Sequence, residues 1–123
     1  MINNLLIGGY IETIPQLHKF RTANTSSAII ISTIKLKLLL IKKCLHLQKM
    51  GYRDSEILNN KSLNIFFNEK NMYLKMIKLW TMKKIDLSLA SRFKLELNCK
   101  SYKEKEYIFL EQYFLFLYYQ LKS

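Results

Sequence analysis

The chain has 123 residues, enough for one domain with a real hydrophobic core and too few for two. Half of it is apolar and 13% aromatic, which excludes a disordered tail, and one proline with three glycines argues against strand-rich folds, whose turns consume those residues. Twenty Lys and Arg against nine Asp and Glu leave a net charge of +11, which fits either a genome biased towards lysine codons or work beside a polyanion such as DNA.

Met1 to Ile7 reads as a short helix ended by Gly8 and Gly9. Across Tyr10 to Ala23, Ile11, Ile14, Leu17 and Phe20 recur at near-helical spacing, with Pro15 acceptable only in a first turn. Asn24, Thr25, Ser26 and Ser27 form a polar break rich in N-cap residues. Over residues 26 to 50, Ile30, Ile34, Leu38, Ile41 and Leu45 make one stripe, and Lys35, Lys42 and Lys49 take another face. Ile29 to Ile31 alone would suit a buried strand, but the pattern runs on to Gly51, a helix stop.

Tyr52 to Lys61 predicts a short helix capped by Asp54, with Ile57 and Leu58 inward. After a connection from Ser62 to Phe67, Asn68 is expected to cap a helix with Met72, Met76, Leu79 and Trp80 on one side. Thr81 caps the next, where Ile85, Leu89, Phe93 and Leu97 recur every four residues. A lysine-rich turn, Lys100 to Lys105, leads into a last helix, Glu106 to Leu121. Between Tyr107 and Leu121 only Glu111, Gln112 and Gln120 are neither aliphatic nor aromatic. A helix this apolar is either central to the core or shared with another protein. Leu110, Phe114, Leu117 and Leu121 form its inward stripe, and Phe109, Phe116 and Tyr119 project away as a candidate partner surface. The fold class is all-α: one domain, residues 1–123, of five to seven helices.

Little in the sequence suggests chemistry. Gly8 and Gly9 lack the Gly-Lys-Ser/Thr that makes a phosphate loop. His18 and His46 fall on different helices with no acidic residue at ligand spacing, and Cys99 has no histidine to activate it beside Glu96 and Lys100. No catalytic, cofactor or metal residue is expected. The longest apolar run, Ala28 to Ile41, is broken by Lys35 and Lys37 and falls short of the roughly 20 residues of a membrane span. Met1 to Gly9 has neither the basic start nor the cleavage site of a secretory signal, and two isolated thiols, Cys44 and Cys99, suit a reducing, cytoplasmic setting.

Three elements in the second half recur in a known order. Phe66-Phe67-Asn-Glu-Lys70 leads into a helix ending at Leu79-Trp80-Thr81, and one helix later comes Glu96-Leu97-Asn98-Cys99-Lys100-Ser101. This resembles the C-terminal, collar-forming domain of the delta subunit of the bacterial DNA polymerase III clamp loader, in its alphaproteobacterial form. Phe67, Lys70, Trp80, Glu96, Cys99 and Lys100 are the signature positions. Asn4 to Gly9 and the long helix ending at Lys49-Met50-Gly51 agree in outline, so the likeness spans nearly the whole chain. Two features depart: Asn98 stands where many members have Asp, and no proline precedes Phe66.

The resemblance implies a scaffold without ATPase activity, joined to the other loader subunits in a helical ring. It places the clamp-opening element in two further domains ahead of this one, so that a fragment, a split-gene half beside a separately encoded N-terminal half, or a decayed remnant is expected. It also puts an aromatic at about Phe66 nearest the primer-template DNA, where Phe66 and Tyr102 would stack on an unpaired base and Lys100, Lys103 and Lys105 attract phosphate. The alternative is a small basic helical nucleic-acid-binding protein outside the replisome.

Overall fold

A computed structural model describes residues 1–122, in which the chain forms seven α-helices and no strand. They are α1 (Ile2–Leu6), α2 (Tyr10–Thr22), α3 (Ser27–Lys49), α4 (Asp54–Leu58), α5 (Lys70–Leu79), α6 (Met82–Ser101) and α7 (Glu106–Lys122). Two 3-10 turns, Phe67–Glu69 and Lys103–Lys105, lead into α5 and α7. The fold is a helical bundle.

The ends of the first three helices are set by local chemistry. The Ser26 hydroxyl accepts the Ala28 N–H at the start of α3. At each C-terminus a residue of positive φ reverses the chain: Gly8 at 93°, Asn24 at 56° and Gly51 at 99°. In each case the two following N–H groups reach back to carbonyls of the last turn, as in Gly51 to Gln48 and Tyr52 to Leu47. These are Schellman closures, which satisfy carbonyls that a helix end leaves free. Asn24 substitutes for glycine because its short polar side chain tolerates the left-handed region.

The stripe Ile30, Ile34, Leu38, Ile41 and Leu45 is buried, as its spacing predicts. Its steps of three and four average the helical repeat. Two other expected stripes rotate out of the core. A constant step of three retreats about 60° each time, so Ile11 and Phe20 cannot share a face. Both are exposed, and α2 buries Thr13 and Leu17 instead. A constant step of four advances about 40°, so along α6 the series leaves the core. Ile85 is buried and Leu89 half-buried, but Phe93 and Leu97 are exposed; the buried line is Ile85, Ser88, Leu95 and Cys99.

Three end assignments also change. Pro15 is the sixth residue of α2, not in its first turn, and lies on the exposed side. Asp54 is the first residue of α4 rather than its cap, and the Glu56 carboxylate accepts the Arg53 N–H. Asn68 lies inside a 3-10 turn, so it does not cap α5. Thr81 does cap α6, accepting the Lys84 N–H. On α5, Met76 is buried together with Tyr73 and Ile77, whereas Leu79 is exposed and Trp80 lies just past the helix end.

Helix α7 packs on α6, α1, α2 and α3. It is therefore a central helix, as its apolar composition allows. Helix α3 meets α4, α5 and α6 on its other flanks. Buried polar ties join distant elements: the Trp80 indole donates to the Leu6 carbonyl at 2.8 Å, and the Tyr113 hydroxyl to the Ser88 carbonyl at 2.8 Å. Tyr107 donates its hydroxyl to the Thr25 carbonyl, tying α7 to the segment before α3.

Candidate functional site

The signature positions divide into buried anchors and exposed aromatics. Trp80 is buried because the chain turns extended after α5 and lays the ring over α1. Cys99 is buried at the end of α6, with its thiol 3.8 Å from the Glu106 carbonyl. Burial pushes its pKa up, a Ser27 hydrogen bond lowers it and the Glu106 charge raises it, so this is a protonated structural thiol. Cys44 is driven further, to about 11, by burial.

Glu96 sits between two cations on its own helix. Arg92 Nη1 donates to it at 2.9 Å and Lys100 Nζ lies at 3.7 Å. The expected Glu96–Lys100 pair therefore exists, but the closer partner is Arg92, whose side chain is only 12% exposed against 73% for Lys100. Nearby, the Ser27 hydroxyl donates to Glu106 at 2.7 Å. The ends of α6, α7 and α3 meet in this one region.

Phe66 and Phe67 are 65% and 88% exposed. Phe66 ends the connection before the 3-10 turn and Phe67 opens the turn, and both rings leave the core there. Lys70 holds its ammonium 5.6 Å above the Phe67 ring and donates to the Asn59 side chain. Tyr102 is also exposed, with Phe109 at 6.4 Å and the Lys105 ammonium at 6.0 Å from its ring. Lys100, Lys103 and Lys105 are exposed beside it. Phe66 and Tyr102 do not form one site. The turn after Phe66 is tied to the middle of α3 through Lys37 and Glu69 at 3.8 Å, and Tyr102 follows Cys99 near the start of α3. These levels lie about 15 Å apart along that helix.

The expected partner surface on α7 is corrected in part. Tyr119 is exposed, but Phe109 and Phe116 are half-buried against the core. They line a shallow cleft with Leu95 and Tyr113, and Phe116 stacks on Tyr113 at 6.3 Å. The outward side of α7 carries Ile108, Leu115 and Tyr119 instead. Phe93 and Leu97 on α6 form a second exposed apolar pair, hidden by the four-residue period, and Leu87 is exposed on another side of the same helix.

No known protein family, curated protein or solved structure matches the chain. His18 meets Glu111 across α2 and α7 at 3.6 Å, an acidic partner that linear spacing could not reveal, but both side chains are well exposed. Among the described residues no group of three His, Cys, Asp or Glu is placed to hold a metal ion. No described helix is long and apolar enough to cross a membrane.

Proposed function

We propose that the chain is the collar module of a clamp-loader delta subunit, a helical scaffold that joins the other loader subunits while a sliding clamp is placed on DNA. The observation that carries this reading is the ordered series Phe66-Phe67-x-x-Lys70, Trp80-Thr81 and Glu96-Leu97-x-Cys99-Lys100-Ser101. The three elements fall at successive ends of helices: before α5, between α5 and α6, and at the end of α6. Exposed Leu87, Phe93 and Leu97 on α6, with Ile108, Leu115 and Tyr119 on α7, supply apolar surface of the kind a scaffold needs.

The test is co-purification of the chain with the remaining loader subunits. Phe93→Asp with Leu97→Asp should lower recovery about tenfold, the effect of losing a small hot spot. Equal recovery of wild type and double variant removes the α6 face from the interface; no recovery of either rejects the collar reading. A second reading, a basic nucleic-acid-binding protein, is favoured by Phe67 and Tyr102, each exposed under a lysine ammonium. A steep fall in DNA affinity of the isolated chain with added salt would support it, because each neutralised phosphate releases counterions.

A further inference from the structure

The start of α3 and the second half of α6 border a cleft of about 410 Å3, partly closed by the 3-10 turn before α7. Lys35, Arg92, Lys100 and Lys103 line it against only two carboxylates, Glu96 and Glu106. Both carboxylates are engaged already: Glu96 with Arg92 and Lys100, and Glu106 as acceptor of the Ser27 hydroxyl. Lys35 and Lys103 have no carboxylate partner among the described residues. Arg92 Nε is buried with no hydrogen-bond partner there. A buried donor left unpaired is costly, so the Arg92 guanidinium is held under strain beside the cleft, with Glu96 as its acceptor.

We propose that this cleft binds a phosphate group carried by a larger molecule. The lining has a surplus of two positive charges, which matches the charge of a phosphate monoester near neutral pH. Its cations include a guanidinium, whose planar fork suits phosphate oxygens. Ser26, Ser27 and Ala28, at the positive end of a 23-residue helix, form the adjoining wall. The volume lies in the range of small-molecule sites and exceeds what a bare phosphate fills, leaving room for the group that bears it. This inference shares Lys100 and Lys103 with the expected DNA contacts but does not depend on the collar reading, since it concerns binding by the chain alone.

The experiment is an NMR titration of the full chain with pyrophosphate, following the Ser27 and Ala28 amides and the Arg92 side chain. Saturable shifts at all three are expected. Lys35→Gln with Lys103→Gln should weaken binding about tenfold without lowering the melting temperature, because both side chains are exposed. Lys43→Gln with Lys49→Gln, exposed lysines in the later part of α3, should leave binding as it was. Equal losses in the two double variants, or shifts that never saturate, overturn the proposal in favour of diffuse charge attraction. Adenosine monophosphate and a single-stranded oligothymidylate then identify the source. Tighter binding of the first at this cleft assigns a free nucleotide, and of the second a nucleic-acid backbone.

Discussion

The Trp80 indole satisfies a carbonyl at the end of α1 while its ring fills the space beside that helix. Trp80→Phe keeps most of the apolar contact and leaves the Leu6 carbonyl without its donor. The expected cost is about 1–3 kcal/mol by urea denaturation, and an unchanged midpoint would show that the hydrogen bond contributes nothing net. Glu96 offers a comparison within one cluster. Lys100→Ala removes an exposed partner and should cost no more than about 0.3–0.5 kcal/mol. Glu96→Ala strips the nearly buried Arg92 of its closest acceptor, for about 1–2 kcal/mol. Equal effects of the two would mean that Arg92 finds another acceptor. Burial raises Cys44 from 9.0 to about 11, and burial with the nearby charges of Glu69 and Cys44 raises Tyr73 from 10.0 to about 12. The unfolded chain releases these protons first. Their stabilising contribution is complete below pH 9 and is lost as pH climbs to 11 and beyond, on the order of 2 kcal/mol for Cys44. Cys44→Ala, though less stable near neutrality, should show a shallower alkaline decline; an identical slope would exclude Cys44 as its source.

Helix α2 carries a flaw that can be removed. Pro15 supplies no N–H to the Ile11 carbonyl four residues earlier, and Ile11 is 77% exposed. Pro15→Ala restores that bond and should stabilise the protein by about 1–2 kcal/mol, the helix gain less the freedom returned to the unfolded chain. A lower melting temperature would show that the ring itself is needed. Helices were legible in the sequence where steps of three and four alternate, as in Ile30, Ile34, Leu38, Ile41 and Leu45. They were misread where one step was repeated, because the error accumulates around the cylinder. That is why Phe93 and Leu97 surfaced on α6. On α7 the apolar residues run nearly all round, so no periodicity could separate half-buried Phe109 and Phe116 from exposed Ile108 and Leu115. At the candidate site, Phe66 and Tyr102 stand beside helix ends, where a ring can leave the bundle but where one at Phe66 could as readily have plugged the core; both are exposed. The partners that complete the α6 cluster were out of reach, since Ser27 and Glu106 are 79 residues apart.

A net charge of +11 on 123 residues loads the folded state with self-repulsion. Raising salt from about 0.05 to about 0.5 M shortens the screening length several-fold and should raise the melting temperature. A falling melting temperature would mean that the ion pairs, such as Lys42 with Asp86 at 2.8 Å, outweigh the repulsion. The placement of α7 has a consequence in time as well. Leu5, Leu6 and Leu17 are buried in a bundle where α1 and α2 both rest on α7, and Tyr10 stacks on Tyr118 at 5.5 Å. Residues of α1 and α2, made earlier, thus find their shelter in α7, made later. During synthesis, at about 5–20 residues per second, α3 to α6 can dock early while the opening helices stay sticky and unshielded. A chaperone that captures short leucine-rich stretches would meet its target in α1 and α2, for as long as the ribosome takes to reach and release α7.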